Sequence, residues 1–127
     1  MSMNAVDWWK DYTRSRDKSA LWARLHADVI FESPVVHTSQ RGREIVHKYL
    51  VSAVEVLAGP NFNFIGEWRR EDGGVLEFDT EIEGIRINGV DIIAGDGHSI
   101  THFKVMVRPL KAVNLLHRLM GAQLAGG

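Results

Sequence analysis

The sequence predicts an α+β fold in which one curved, mostly antiparallel sheet carries helices on one face. Two observations support this fold class. Within residues 8–57, apolar residues recur at helical spacing in three segments, with a short strand-like run between the second and the third. Residues 61–108 alternate apolar and polar side chains between turn motifs, which is typical of consecutive antiparallel strands. Helices that precede a run of strands favour the α+β class.

Length and composition predict a single domain over residues 1–127, because a chain of 127 residues can bury one sizeable core. The formal net charge is −1 and Lys and Arg form no basic tract, so we expect no nucleic-acid partner. No apolar run approaches the ~20 residues that span a bilayer, and MSMNAVDWWKDY lacks the layout of a signal peptide. The chain contains no cysteine. We therefore expect a cytoplasmic protein with no membrane partner and no thiolate site.

The first third of the chain predicts two helices and a strand. Apolar residues in WWKDYTRSRDKSALWARL fall at helical spacing, and a polar stretch divides them into two helices with Asp17 as N-cap of the second. VIFESP predicts a short strand that ends at Pro34. TSQRG predicts a loop. GREIVHKYLVSAVEVL then predicts an amphipathic helix that ends at Gly59-Pro60.

The rest of the chain predicts a meander and a closing helix. The strands are FNFIGEWRR, VLEFDTEI, IRINGVDIIA and ITHFKVMVR, and they are separated by EDGG, EG and GDGHS. Pro109 suits the first position of a helix, PLKAVNLLHRLM, with Gly121 at its end. One apolar stripe of this helix is expected to cap a pocket or a dimer seam: Leu110, Val113, Leu116 and Met120.

The placement of Asp91, within INGVDII, follows from strand pairing. If Glu83-Gly84 forms a two-residue hairpin turn, Leu76 lies opposite Asp91. Because side chains alternate along a strand, Asp91 then shares a face with apolar residues. The other face carries charged residues, including a Glu81–Arg86 cross-strand pair. A one-residue slip would bury several of these charges, so Asp91 is predicted on the apolar, concave face.

The preceding hairpin is predicted in the same way. A three-residue loop with a glycine bulge through residues 72–74 puts Trp68 on the Phe78 side, whereas other loop lengths would put Glu67 and Arg69 there. The concave face is then expected to hold Asp91 as its one acid, with Gly89 leaving a gap where a ligand can approach the backbone. Its predicted lining is Phe64, Trp68, Phe78, Ile87, Phe103 and Val105.

Two interpretations of Asp91 remain open, because burying a lone carboxylate costs several kcal/mol unless it is hydrogen-bonded, paired or protonated. It is either a structural group bonded to a donor of the helical layer, or an acid of raised pKa in a ligand pocket. His37 is a weaker candidate for a general base near the pocket mouth, against the interpretation of a solvent-exposed loop histidine. His98 and His102 should not converge on a metal, so no metal is expected. No cofactor is expected either.

The order of these elements resembles the nuclear transport factor 2-like superfamily, and its SnoaL-like and ketosteroid-isomerase-like branch in particular. The residues that carry the resemblance are ADVIFESPV (27–35), GREIVHKYL (42–50), INGVDIIAGDG (87–97) and ITHFKVMVRP (100–109). The resemblance implies a cone-shaped half-barrel, with the sheet wrapped around the N-terminal helices and a C-terminal helix. It also implies a deep apolar pocket, which would include Phe31, and a homodimer formed across the outer sheet face.

The resemblance also implies roles for single residues. Asp91 matches the acid that ketosteroid isomerases keep protonated in order to donate to an oxyanion. The isomerase's general base, an aspartate before the strand-ending proline, is Ser33 here, and Glu32 should point to the opposite face. The position of the oxyanion tyrosine falls near Trp9, with Tyr12 about one turn away. Ketosteroid isomerisation itself is therefore not expected.

Two hypotheses of function follow. The first is a small-molecule pocket protein that binds an apolar, cyclic, polyketide- or steroid-like ligand, in which Asp91 acts as acid or hydrogen-bond donor. Whether it is an enzyme is left open, with isomerase-, cyclase- or hydrolase-like acid/base chemistry as the candidates. The second is a non-catalytic ligand-binding or dimerisation module in which Asp91 only ties the sheet to a helix.

Overall fold

A computed structural model describes residues 3–126, which form four helices and six strands. The elements in chain order are α1 (Ala5–Ser15), α2 (Lys18–Arg24), β1 (Leu25–Glu32), β2 (Gln40–Arg41), α3 (Arg43–Leu57), β3 (Asn63–Arg70), β4 (Gly73–Ile82), β5 (Ile85–Gly95), β6 (Ile100–Arg108) and α4 (Leu110–Gly126). The strands form one sheet in the order β2-β1-β6-β5-β4-β3, in which only the β1–β6 pair is parallel. The predicted α+β half-barrel with a curved, mostly antiparallel sheet is confirmed.

The helix boundaries near the N-terminus follow from their caps. The Asn4 side chain accepts a hydrogen bond from the Val6 amide at 2.9 Å, and the Asp7 carboxylate accepts one from the Asn4 amide at 3.0 Å, which together form a capping box. Asp17 caps α2 as predicted, by accepting bonds from the amides of Ser19 and Ala20. The capping box fixes the start of α1, the helix that places Trp9 at the concave face.

Two predictions along the chain are wrong in detail. TSQRG is not only loop, since Gln40–Arg41 pairs with β1 as the short strand β2. The closing helix does not stop at Gly121 but continues to Gly126. A single glycine costs a helix only about 1 kcal/mol, and no proline follows it here to end the helix.

The β4–β5 hairpin has the predicted register. Ile82 pairs with Ile85, and Leu76 pairs with Asp91. Glu83 and Gly84 both have positive φ, at 53° and 77°, as the favoured two-residue hairpin turn requires. On the outer face Arg86 lies opposite Glu81 in register, whereas its guanidinium approaches Asp79 at 3.8 Å.

The predicted register of β3 is wrong. The β3–β4 turn has two residues, because Arg70 pairs with Gly73, and a bulge lies instead between Phe64 and Gly66. Phe64 still lies opposite Phe78 on the concave side. Beyond the bulge the side chains change faces, so Trp68 pairs with Val75 on the outer face and is 58 % exposed.

Glu67 and Arg69, which the predicted register kept off the concave side, lie on that side and are stabilised there by α1. Lys10 Nζ donates to Glu67 Oε1 at 2.8 Å. The Arg69 guanidinium donates to both carboxylate oxygens of Asp7 and also to Glu67. Glu67 is therefore a second acid on this side of the sheet, at the edge strand, and Asp91 is the buried one.

The core lies between the concave face and the helices. Its largest fully buried side chains include Phe31, Phe78, Phe103, Leu50 and Ile87. Within residues 3–126 no helix combines the length and the apolar character that crossing a membrane requires.

Candidate functional site

A cavity of about 250 Å³ lies between the concave face of the sheet and helices α1, α3 and α4. We call it the central cavity. Its lining residues are Trp9, Thr13, Phe31, Ser33, Pro34, Val35, Val36, Tyr49, Leu50, Ala53, Val54, Leu57, Ala58, Phe62, Phe78, Asp91, Phe103, Val105, Leu116, His117, Met120, Gly121 and Leu124. Most of these side chains are aliphatic or aromatic, so the walls are predominantly apolar.

Asp91 is the acid of the central cavity. It is 5 % exposed, and Trp9 Nε1 donates a hydrogen bond to its Oδ2 at 3.1 Å. Burial raises the pKa of Asp91 to about 7, while the Trp9 bond opposes that rise, and no charged side chain contributes to the shift. At neutral pH the carboxyl group is therefore divided between its acid and its ionised form.

This geometry is consistent with both interpretations of Asp91. The indole N–H from α1 ties the sheet to the helical layer, as the structural interpretation requires. Asp91 also borders an open cavity, as the pocket interpretation requires. Since Oδ2 accepts the bond from Trp9, a proton on Oδ1 would leave the carboxyl group free to donate to a bound molecule.

Trp9 holds the carboxyl group in place. Its ring packs edge-on against Phe103 with the centroids 4.6 Å apart, and its centroid lies 5.7 Å from that of Tyr12. Trp9 lines the central cavity, whereas Tyr12 is buried outside the lining, so the prediction that Tyr12 contacts a ligand receives no support. An indole N–H therefore lies beside Asp91, where the resemblance implied a phenol.

Several other predicted lining residues are where the sequence placed them. Phe31, Ser33, Phe78, Phe103 and Val105 all line the central cavity.

Ser33 does more than line the cavity, because its Oγ accepts hydrogen bonds from the amides of Val35 and Val36 at 3.1 and 2.9 Å. Its hydroxyl thus stabilises the turn after β1. Glu32 lies on the outer face as predicted, where its carboxylate contacts His102 Nε2 at 2.6 Å. The end of β1 therefore presents a hydroxyl to the cavity, and no carboxylate.

Besides Tyr12, five predicted site residues lie outside the lining: His37, Phe64, Trp68, Ile87 and Gly89. Gly89 leaves no gap for a ligand, because a Cβ there would lie 2.5 Å from Phe78 Cζ, so the phenylalanine ring fills that space. Ile87 is buried in the core and Trp68 is on the outer face. His37 is exposed beside a groove on the outer face, and its predicted role as a base near the cavity is not supported.

The prediction missed the contribution of the helices to the lining. Tyr49 of α3 and His117 of α4 both line the central cavity. The apolar stripe of α4 gave part of this signal, since Leu116 and Met120 do line it, whereas Leu110 is 74 % exposed. His117 follows Leu116 directly, but one sequence does not show how far a cavity extends around a helix.

The described residues contain no group of three or more His, Cys, Asp or Glu side chains that could hold a metal ion.

Comparisons with known proteins place this fold among relatives. No protein-family model matches the sequence, and no curated protein matches it. The chain is similar to the crystal structure of a steroid delta-isomerase from Pseudomonas aeruginosa, with 30% identity, a TM-score of 0.85, and coverage of 93% of this chain and 87% of that chain.

Two further solved structures share the fold. An uncharacterised protein with a cystatin-like fold from Silicibacter pomeroyi has 27% identity and a TM-score of 0.82, over 91% of this chain and 82% of that chain. An NTF2-like protein of unknown function from Mesorhizobium loti has 15% identity and a TM-score of 0.68, over 80% of this chain and 85% of that chain. From the first of these likenesses, and from the architecture that all three share, the chain belongs to the nuclear transport factor 2-like superfamily.

Proposed function

We propose that this protein binds a small apolar ligand in the central cavity, and that Asp91 in its acid form donates a hydrogen bond to an oxygen of that ligand. The observation that carries the proposal is a buried acid, without a charged partner, in the wall of a predominantly apolar cavity. Apolar walls bind ligand surface without fixing its orientation, at about 25 cal/mol per Å² buried. A single polar group in such a wall supplies the orientation.

The acid also supports proton transfer. A carboxyl group whose pKa is about 7 can give up and take back a proton at neutral pH, which is what a general acid or base requires. Because the chain is similar to a steroid delta-isomerase from Pseudomonas aeruginosa, compounds with steroid-like rings are the first ligands to test. With Ser33 at the expected position of the isomerase base, we propose acid catalysis or binding alone, in preference to ketosteroid isomerisation.

A pH titration of ligand affinity tests the proposal. The probe is a bicyclic conjugated enone, whose carbonyl oxygen accepts a hydrogen bond. If only the acid form of Asp91 binds it, the dissociation constant should rise roughly 100-fold between about pH 6 and about pH 9, following the ionised fraction.

Asp91→Asn is the matched control, because its amide keeps the Trp9 bond but does not titrate. Its affinity should stay flat over the same range. Equal pH dependence in the two proteins would contradict a role for the carboxyl proton. Failure of Ala53→Phe, which projects into the cavity, to weaken binding would contradict the site. Native mass spectrometry of the purified protein would identify any ligand that is already bound.

A second candidate is a non-catalytic module that dimerises across the outer face of the sheet. Two large apolar side chains are exposed there, Trp68 at 58 % and Met106 at 52 %, and the neighbouring Val90 and Ile92 are half-buried. Exposed apolar surface of this kind marks interaction sites, and a self-complementary patch is typical of two-fold dimers. The Trp9–Asp91 bond would then serve only to stabilise the fold.

Sedimentation velocity tests the dimer separately from the ligand. Wild type should sediment as a dimer and Met106→Lys as a monomer, while the Asp91→Asn variant stays dimeric. A monomeric wild type would contradict this candidate and leave the ligand proposal untouched.

A further inference from the structure

We propose that the central cavity opens beside His117 of α4, and that His117 binds a second oxygen-bearing group at the outer end of the ligand. The ligand would then be an elongated ring compound, with one hydrogen-bond acceptor at the Asp91 end and a hydroxyl or carboxylate at the other. This inference rests on the proposed function, because it concerns the same cavity.

The face of α4 that lines the cavity runs from buried to exposed. Its residues are Leu116, His117, Met120, Gly121 and Leu124, which share one side of a helix. Leu116 is buried, whereas His117 is exposed although it lines the cavity. Asp91, at 5 % exposed, lines a part of the cavity that is shielded from water. His117 therefore lies at one boundary between the cavity and water, and Val36, which is 43 % exposed, lines the cavity as well.

Gly121 keeps the space beside His117 open. It lies one helical turn after His117 and faces the same cavity. A Cβ at Gly121 would meet no atom within 4 Å, so a larger side chain could project into that space without displacing protein atoms. A larger side chain at this position would therefore narrow the opening that we propose.

The imidazole of His117 is available to a ligand. Among residues 3–126, the rings of His47 and His102 are bonded to the Lys18 carbonyl and to Glu32, whereas the His117 ring makes no hydrogen bond. A neutral imidazole offers one donor and one acceptor. Such a group at the mouth of an apolar cavity can satisfy a polar group that the walls cannot.

Two other polar side chains of the lining are less available than His117. Thr13 Oγ1 donates to the Lys10 carbonyl at 2.8 Å, and Ser33 Oγ accepts from two amides of its turn. Tyr49 makes no side-chain hydrogen bond among the described residues and is the rival anchor. The experiment must therefore separate His117 from Tyr49.

Three probes with one ring skeleton test the anchor. Each is a bicyclic enone that carries a methyl, a hydroxyl or a carboxylate group at the end far from the carbonyl. His117→Leu should weaken the hydroxyl or the carboxylate probe about fivefold, the effect of one hydrogen bond, and leave the methyl probe unchanged. The probe that loses more affinity identifies the outer group. Asn114→Leu, on the same helix but outside the lining, should change none of them.

A second pair of variants tests the position of the opening. Gly121→Met should weaken all three probes or slow their association, because its side chain would occupy the open space. Ala122→Met adds the same side chain to an exposed position outside the lining and should have no effect. Equal effects of the two variants would overturn the placement of the opening.

The outcomes distinguish this inference from the proposed function. If the methyl probe binds with the predicted dependence on Asp91 but His117→Leu changes all probes equally, the His117 anchor is wrong and the cavity proposal stands. A selective loss in Tyr49→Phe, without one in His117→Leu, would also overturn it. If wild type binds none of the three probes, the proposed function fails together with the inference.

Discussion

Asp91 is a carboxyl group that the fold removes from water without giving it a cationic partner. Its environment is the indole N–H of Trp9 and the apolar wall around it. A buried acid in such surroundings avoids the cost of a lone charge by holding its proton to higher pH. The carboxyl group of Asp91 can therefore give up and take back a proton near neutral pH.

The raised pKa of Asp91 predicts how stability depends on pH. Its unfolded pKa is close to 3.8 and its folded pKa is about 7, so the folded state holds the proton more tightly. The contribution of Asp91 to stability is fully present below about pH 3.8 and is lost as pH rises to about 7. Relative to Asp91→Asn, wild type should lose roughly 4 kcal/mol of unfolding free energy over that window. Denaturant unfolding of both proteins across this range measures it, and a constant difference would contradict the raised pKa.

The indole N–H of Trp9 opposes that rise in pKa. Trp9→Phe removes the donor, so the pKa of Asp91 should increase further, and the unfolding free energy should fall by about 1–3 kcal/mol. Trp8→Phe is the control, because Trp8 Nε1 is buried without a hydrogen-bond partner among the described residues. If the Asp91 pKa, followed by carbon NMR of its carboxyl group, changes equally in both variants, the Trp9 bond is not its cause.

Two glycines should respond oppositely to alanine. A Cβ at Gly89 would lie 2.5 Å from the Phe78 ring and 2.7 Å from the Met106 carbonyl oxygen, so Gly89→Ala should destabilise the protein by about 1–3 kcal/mol. Gly121 lies inside α4 with open space around it, so Gly121→Ala should stabilise it by up to about 1 kcal/mol. Thermal unfolding gives both signs. A neutral Gly89→Ala would show that the Phe78 ring moves aside freely.

At the scale of the elements, β3 shows where a sequence pattern stops being informative. Alternation alone favoured Trp68 inside and Glu67 and Arg69 outside, and the bulge after Phe64 reverses this. The reversal is stabilised by the charges of α1, which pair with those of the strand. A pattern within one strand cannot reveal an ion pair with a helix more than fifty residues away.

This ion-pair network should stabilise the contact between α1 and β3 measurably. Arg69 holds the pKa of Asp7 below its ordinary value through a side-chain hydrogen bond. A double-mutant cycle of Asp7→Asn and Arg69→Gln should give a coupling free energy of about 0.5–1 kcal/mol, because both groups are near the surface. The coupling should shrink in about 1 M salt. A coupling free energy of zero at low salt would show that these ion pairs do not stabilise the contact between α1 and β3.

By contrast, the β4–β5 hairpin was fully predictable. Its turn residues, Glu83 and Gly84, and the alternation of its strands specify the same register, so every pair from Ile82–Ile85 to Leu76–Asp91 could be derived. A single slip would have buried several charges. Local chemistry and global packing agree in this hairpin, which is why the face of Asp91 followed from sequence.

For the whole molecule, the sequence indicated a sheet with one apolar face but not the volume that this face encloses. Strand parity identified Phe103 and Val105 as neighbours of a pocket, and the family resemblance added Phe31. The positions of His117 and Gly121 depend on how α4 crosses the sheet. Whether the space beside Gly89 is open depends on the rotamer of Phe78. Both are consequences of packing between distant elements, so neither can be predicted from the sequence of one segment.

Under the proposed function, Asp91 holds its proton near neutral pH and, in that acid form, donates a hydrogen bond to a ligand in the central cavity. Carbon NMR of the Asp91 carboxyl group, titrated with pH in the absence and in the presence of the bicyclic enone, tests this most directly. We predict a midpoint near 7 for the free protein and a higher midpoint with the enone bound, because a ligand that prefers the acid form must raise its pKa. A midpoint near the ordinary aspartate value of about 4, or one that saturating enone leaves unchanged, would contradict the claim.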